Sequence, residues 1–407
     1  MSKKGKRRAI RRQRRMAFYG ALALVCVACM MFLAKRGATV DVAEPAIIYE
    51  ATPTPTPVYS TPIPTPIPTP EPTPILSAVP EITAAPTPVT ITITAAGDCT
   101  LGGSVHQSTY LQFKRAVQTY GYDYFFSNTR PIFVADDLTI VNLEGPLTDV
   151  GSGRKGSYVF KGDPDYVNIL TGSSVELCNV ANNHSQDFGK EGLERTAEIL
   201  EAAGVGCCGY TKVFRTEIRG VKISALGYLE WEIDKQKIVD AVKAERPNCD
   251  LLIVNMHWGR EKHFEPVKAQ KTYGYAIIDA GADLIIGTHP HVYGGVEKYK
   301  GKYIVYSLGN FCFGGNANPT DKRALLFRQA FTVSPEGEVS DGGVDIIPVS
   351  VSSMPKKNDY RPTVMPFADG VKLLQAMSKY SNFSEGFVWL PGSYPEQAGL
   401  LKSGVMS

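Results

Sequence analysis

Asp98, Glu144, Asn183, His184, His257, His289 and His291 are the residues of this chain whose types and placement could do chemistry together. Each follows an apolar run. Ile91-Thr92-Ile93-Thr94-Ala95-Ala96-Gly97 leads to Asp98, and Leu138-Thr139-Ile140-Val141-Asn142-Leu143 leads to Glu144. Leu177 to Ala181 leads to Asn182-Asn183-His184, Leu251 to Met256 leads to His257, and Leu284 to Gly287 leads to Thr288-His289-Pro290-His291. Four of the chain's six histidines fall in this set, so the imidazoles are concentrated where the runs end. Carboxylates and imidazoles suit borderline divalent ions such as Mn, Fe or Zn. A carboxylate can also bridge two ions about 3.5–4 Å apart, the separation used by two-metal hydrolases. One or two divalent ions are therefore expected. Asn183 offers a neutral oxygen ligand, which leaves His184 free to donate a proton to a leaving group. His289 and His291 stand two apart. An extended backbone would point both the same way, and Pro290 keeps the segment from becoming helical.

Taken singly, each residue has an ordinary reading. Asp98 could cap a turn or helix, Glu144 in Glu-Gly-Pro could be solvated, and Asn182-Asn183 suits a turn. His257 could be a satisfied core histidine, and His-Pro-His alone is a weak signal. The conjunction, always at the end of an apolar run, favours a shared metal site.

The elements that must position these groups alternate along the chain. Val89–Ala96, Leu138–Leu143, Val175–Val180, Val221–Leu226, Leu251–Met256, Leu284–Ile286 and Tyr303–Leu308 are apolar, and most are shorter than eight residues, which reads as strands. Glu191–Ala203, Lys235–Ala244 and Pro266–Ala280 have helical spacing. This alternation predicts an α/β fold with buried, largely parallel strands. Ligands of such sheets bind at the carboxyl ends of the strands, where the polar residues above fall. Phe327–Val333 and Val344–Val351 read as a hairpin about Ser334-Pro335-Glu336-Gly337, and Leu373–Tyr380 as a packing helix.

Around this region the chain is uneven. The 407 residues are 43% hydrophobic and 20% charged, which excludes a wholly disordered or multi-span membrane chain. Residues 1–15 hold nine Lys or Arg and no acid; with Lys35 and Arg36 removed as well, the other 371 residues carry 32 bases against 40 acids, a net of −8. The basic charge is a local tail (residues 1–16), so no nucleic-acid partner is expected. Ala17 to Ala34 is apolar and uncharged. At about 1.5 Å per residue it reaches roughly 27 Å, enough to cross a bilayer core. The flanking cations put the N-terminus in the cytoplasm, so residues 17–34 are expected to be a single-pass signal anchor with the rest of the chain extracellular. A cleaved signal peptide and a lipid-modified Cys29 are the alternatives. Fourteen of the 28 prolines lie between Pro45 and Pro88, which makes residues 37–88 an extended Pro/Thr-rich linker and not a folded unit. Cys99, Cys178 and Cys312 sit in apolar runs as core residues, and the external cysteines are too sparse for a disulfide framework.

These motifs carry a resemblance. Ala96-Gly97-Asp98, Asn142 to Thr148 (NLEGPLT), Ala181-Asn182-Asn183-His184, Gly189 to Thr196 (GKEGLERT), His257-Trp258-Gly259, Asp279 to Asp283 (DAGAD), Gly287 to His291 (GTHPH) and Tyr306 to Phe311 (YSLGNF) resemble the CapA family of poly-γ-glutamate capsule synthesis proteins. The likeness runs in order from about residue 90 to about 350. It implies a calcineurin-like metallophosphoesterase fold, a β-sandwich flanked by helices, here preceded by one transmembrane helix and a Pro-rich stalk. It further implies that Asp98 and His291 bind one metal, that Asn183, His257 and His289 bind a second, that Glu144 bridges them, and that His184 is the proton donor. Two departures from phosphoesterases stand out: Asp98-Cys99-Thr100 lacks the histidine of their Asp-x-His motif, and Glu144 replaces their bridging Asp.

Residues 89–351 are thus expected to form the CapA-like domain, with residues 352–407 as a C-terminal extension. The expected function is a surface-anchored part in poly-γ-glutamate synthesis or export. The membrane, the polymer and other capsule-synthesis membrane proteins are the expected partners. A secreted phosphoesterase acting on another wall substrate, or a scaffold of the same fold without turnover, are the competing functions. Arg154-Lys155 with Lys161, and Lys298, Lys300 and Lys302, are candidate patches for a polyanion, against the reading of solvated loop charge.

Overall fold

The computed structural model describes residues 87–382. The basic tail, the apolar run of residues 17–34, nearly all of the linker and the chain after residue 382 lie outside the described residues. Among the described residues, no helix is long and apolar enough to cross a membrane.

The strands, in chain order, begin with β1 (Val89–Thr100), β2 (Gly103–Ser104), β3 (Leu138–Leu143), β4 (Phe160–Lys161), β5 (Leu177–Asn179), β6 (Gly206–Cys208), β7 (Phe214–Ile218) and β8 (Val221–Leu229). They continue with β9 (Leu251–His257), β10 (Leu284–Thr288), β11 (Val296–Tyr299), β12 (Lys302–Val305), β13 (Asn310–Phe313), β14 (Arg323–Val333), β15 (Val339–Ser350) and β16 (Thr363–Val364). The α-helices are α1 (Ser108–Tyr120), α2 (Arg130–Phe133), α3 (Val167–Thr171), α4 (Gly189–Ala202), α5 (Lys235–Glu245), α6 (Lys268–Asp279) and α7 (Phe367–Ser378). One sheet runs β16-β15-β14-β1-β3-β5-β6 with β13 also on β1, and the other runs β11-β12-β10-β9-β8-β7. Within the first, β1, β3, β5 and β6 are parallel; within the second, β8, β9, β10 and β12 are parallel.

Period-two alternation builds the layers. Ile91, Ile93, Leu138, Ile140 and Leu177 of one sheet share a buried cluster with Val221, Ile223, Leu251, Ile253, Leu284 and Ile286 of the other. The intervening positions pack outward. Val141, Leu143 and Cys178 meet Phe113, Phe133, Leu170 and Leu200 of helices α1 to α4. Leu252, Val254 and Ile285 meet Ile238, Val242 and Ile277 of α5 and α6. The result is two sheets face to face with helices outside both. Each fully buried Ile or Leu contributes about 2 kcal/mol, so the alternation fixes which face each strand turns inward.

Several expected bounds shift. Tyr303–Leu308 is a strand only to Val305, because the chain then turns to bring Gly309 against β1. The hairpin is longer than expected, with β14 starting at Arg323 and β15 at Val339. Residues 352–382 are integral: β16 pairs with β15, and Leu373, Leu374 and Met377 of α7 lie in the cluster between the sheets. Helices α1, α2 and α3 add to those read from the sequence; α2 and α3, at 4 and 5 residues, are too short to show a helical period. Cys99, Cys178 and Cys312 are buried core residues, and all six described cysteines are free.

Candidate metal centre

Strand parity delivers the polar residues to one place. On β9, Leu251 and Ile253 face the other sheet, so Asn255 and His257 continue on that face beyond the apolar pairs. On β3 the same parity takes Leu138 and Ile140 to Asn142. On β10 it takes Leu284 and Ile286 to Thr288. Strand β1 needs a correction of phase. Ile91 and Ile93 face the other sheet but Cys99 packs outward, and the register with β3 shifts between Ala96 and Asp98. That bulge turns Asp98 inward. It also needs Gly97, since a Cβ there would stand 1.9 Å from the Gly309 carbonyl oxygen.

All seven residues named from the sequence converge. His291 Nδ1 is 3.2 Å from Asp98 Oδ2, and its Nε2 is 3.7 Å from Glu144 Oε1. Ligand atoms of Asp98, Glu144 and His291 all lie within 4.8 Å of one another. His257 Nε2 is 2.9 Å from Asn183 Oδ1, and the His257 and His289 rings are 4.8 Å apart. His257 Nδ1 is also 4.0 Å from Asp98 Oδ1, which joins the two groups. His184 Nε2 is 4.0 Å from Glu144 Oε1.

The His-Pro-His segment is not extended as the spacing suggested. His289 has φ 98° and His291 φ 58°, both in the left-handed region. Strand β10 ends at Thr288, and the His289 N–H then turns to donate to Asp98 Oδ2 at 3.3 Å. Such backbone is strained by about 1–3 kcal/mol per residue and persists where the surroundings enforce it. The turn still brings the two rings within 5.9 Å.

The burial of these groups explains their charge states. Glu144 is fully buried, not solvated, and neither of its carboxylate oxygens accepts a hydrogen bond from any described residue. Burial pushes its pKa up, against the pull of His291. Burial alone would depress His291, but Glu144 and Asp98 outweigh it and raise the imidazole above its usual range. His289 is lowered to about 4, first by burial and then by the charge of His291. His257 is held well below the ordinary value, again by burial first.

These residues fit a divalent cation. Ligands on one ion stand roughly 3–4 Å apart when each bond is about 2.1 Å, which Asp98, Glu144 and His291 can meet with small side-chain adjustments. Metal binding needs ionised carboxylates and neutral imidazoles. Asp98 and Glu144 supply the carboxylates and His257 and His289 supply imidazoles whose proton affinity is lowered, while an ion would displace the proton that the buried Glu144 and His291 hold. The buried Nδ1 of His289 also lacks a partner among the described residues.

The supporting residues were not singled out from the sequence. Asn142 donates to Asp98 Oδ1 at 2.8 Å, and its own oxygen accepts from Asn179 at 2.9 Å and Asn182 at 3.3 Å. Thr288 Oγ1 sits 3.1 Å from His257 Nδ1, and Asn310 Oδ1 sits 2.9 Å from His291 Nδ1. Asp187, fully buried, holds His184 Nδ1 at 2.8 Å and thereby turns Nε2 toward Glu144. A polar residue on the inward parity of an apolar strand would have flagged Asn142. An acid three residues after His184 was the signal for Asp187. Trp231, half exposed, stands edge-on to His289 at 4.9 Å.

The chain is a two-sheet sandwich with carboxylates and imidazoles clustered at its strand ends. Residues 92–315 match the family described as "Bacterial capsule synthesis protein PGA_cap", and the chain belongs to that family. It is 27% identical over 294 residues to the "Capsule biosynthesis protein CapA" of Bacillus anthracis, covering 64% of this chain and 67% of that protein. It is 28% identical over 249 residues to the "PGA biosynthesis protein CapA" of Bacillus subtilis (strain 168), covering 55% and 65%. The match thus spans about two thirds of those relatives. A solved structure of a hypothetical protein from Thermus thermophilus is similar at 15% identity and a TM-score of 0.39, covering 63% of this chain and 98% of that one.

Proposed function

We propose that this chain is a membrane-anchored surface protein taking part in poly-γ-glutamate capsule synthesis or export, and that its strand-end site acts on or holds the polymer through bound divalent metal. Membership of the capsule synthesis family and the names of its relatives support the pathway. The charge asymmetry of residues 1–36 supports an anchor at residues 17–34 with the domain outside the membrane. The observation that carries the site is Glu144, a buried carboxylate without a hydrogen-bond donor, set between His291 and His184.

In this reading Asp98, Glu144 and His291 would hold one ion, and Asn183, His257 and His289 would hold a second beside it. Bound metal, with Mn, Fe or Zn suited to this donor set, would polarise a carbonyl or phosphoryl oxygen and supply a reactive water near neutral pH. The chain's own part is positional. Asp187 fixes the tautomer of His184 so that Nε2 can hand a proton to a leaving group in the adjoining cleft. Thr288 and Asn142 hold His257 and Asp98 in place.

Metal analysis of the purified full chain tests this proposal. At least one divalent ion per chain is expected, and a lower metal content in the His257→Ala, His289→Ala double variant. Equal metal content in the variant would remove these histidines from the site. A parallel screen of γ-glutamyl oligomers and phosphoesters separates the capsule reading from a phosphoesterase with another wall substrate. Fractionation of cells carrying the chain with and without residues 17–34 tests the anchor.

A further inference from the structure

We infer that Arg154 is the specificity residue of this site and binds a free carboxylate of the substrate beside the proton donor His184. The inference rests on the polymer reading above and names how the site would recognise its ligand. In a γ-linked glutamate chain the side-chain carboxyl is consumed by the amide, so every unit keeps an α-carboxylate. A domain with a negative excess meets such a polymer through bound metal or through local, fixed cations.

Arg154 is fixed. A cleft of about 820 Å³ opens beside the metal centre, and Arg154, His184, Asn183 and His291 all line it. The Arg154 Nε donates to Asp187 Oδ1 at 2.5 Å, and Nη2 donates to the Tyr158 carbonyl at 2.8 Å. The other oxygen of Asp187 takes His184 Nδ1 at 2.8 Å and the Phe160 N–H at 2.6 Å. One buried carboxylate thus holds the guanidinium and the imidazole at set positions in the same cleft. The loop carrying Arg154 is exposed yet pinned. Its Arg154 N–H donates to the Asp187 carbonyl at 2.7 Å, and its Ser157 carbonyl accepts from Ser104 Oγ and Gln107 Nε2, both at 2.8 Å.

Arg154 is also available. A guanidinium has five N–H donors. Two of them are engaged here, and both on Nη1 have no hydrogen-bond partner among the described residues. The side chain is 45% exposed, so a ligand can reach it. The competing basic patch lies elsewhere: Lys298, Lys300 and Lys302 pair with Asp341, Asp279 and Asp283, and none of the three lines this cleft. Of the acids lining the cleft, Asp321 is paired with Arg323, while Glu261 carries the one charge there that opposes an anion. Lys262 beside it adds a second cation at the rim.

The test is calorimetric titration of the full chain with a γ-glutamyl pentamer and with the same pentamer carrying α-carboxamides. Wild type is expected to favour the free carboxylates by about tenfold, the scale of one partly screened charge-assisted contact. Arg154→Gln is expected to bind both within about twofold while keeping the affinity for the amide form. Arg154→Lys, which keeps the charge but not the fork, should retain part of the preference. Equal binding of both pentamers by wild type, or a full preference in Arg154→Gln, overturns the inference and leaves the polymer reading standing. Binding of neither pentamer by wild type overturns that reading and the inference together.

Discussion

Glu144→Gln separates a metal ligand from a structural residue. The substitution keeps the shape and removes the charge. Glu144 accepts no hydrogen bond from a described residue, and its attraction to His291 at 3.7 Å is opposed by Asp98 and by burial. The metal-free protein should therefore change by no more than about 1 kcal/mol. With metal the outcome differs. A ligand at 100 times its Kd stabilises the folded state by about 2.7 kcal/mol. For a domain of this size that raises Tm by roughly 4–5 °C. Removing even a partner behind a metal ligand costs about 10–100-fold in affinity, so losing one of two anionic ligands should weaken binding by about 100-fold. At the same metal concentration the stabilisation then falls to about 0.4 kcal/mol, a shift of roughly 1 °C. Scanning calorimetry of both proteins in chelator and in Mn²⁺ or Zn²⁺ reads all four states. A variant that keeps the full metal-dependent shift refutes the assignment. One that loses several kcal/mol in chelator shows Glu144 to be a packing residue instead.

Metal affinity should rise with pH between about 6 and 8, by up to tenfold per unit, because the ion must displace the proton held on His291; titration in buffers of different ionisation enthalpy should show release of about one proton. In the chelated protein the sign reverses. The folded His291 pKa is raised to about 10 against the ordinary 6.5, so its stabilisation is complete below about pH 6.5 and is lost as pH rises through the folded value; a Tm of the chelated protein that climbs with pH on account of His291, absent in His291→Ala, would contradict this. Asp187→Asn should keep bound metal but lower any hydrolytic turnover by about 100-fold or more and reduce stability by about 2 kcal/mol, since a buried acceptor of three hydrogen bonds is replaced; metal content with turnover, measured together, checks it. Gly97→Ala should destabilise by about 3 kcal/mol or more, because its Cβ would meet the Gly309 carbonyl at 1.9 Å within a tightly packed layer; an unchanged denaturant midpoint would show that the two segments can part.

Among the site residues, Asp98, Glu144, Asn183, His184, His257, His289 and His291 were legible because each is polar and each closes an apolar run. A buried strand cannot carry such a group in its middle without a partner, so its end is where the polar residue survives. Asn142 and Asp187 were less legible because their roles depend on neighbours from other strands and turns. Lys298, Lys300 and Lys302 resemble Arg154 in the sequence, and all four have acidic partners distant in the chain; only Arg154 lines the cleft beside the site.

The sequence by itself determined the strand-and-helix alternation, the inward parity of β3, β9 and β10, and the residue types able to bind metal, since these follow from local periodicity and side-chain chemistry. Tertiary structure alone decided the phase of Asp98, the left-handed turn that aims His289 and His291, and the coupling of Arg154 to His184 through Asp187. Those features arise where chain segments far apart in order press together: Gly309 on Gly97, Asp98 on His289, and Asp187 on the loop at Arg154. Long-range contact of this kind leaves no periodic trace in either segment.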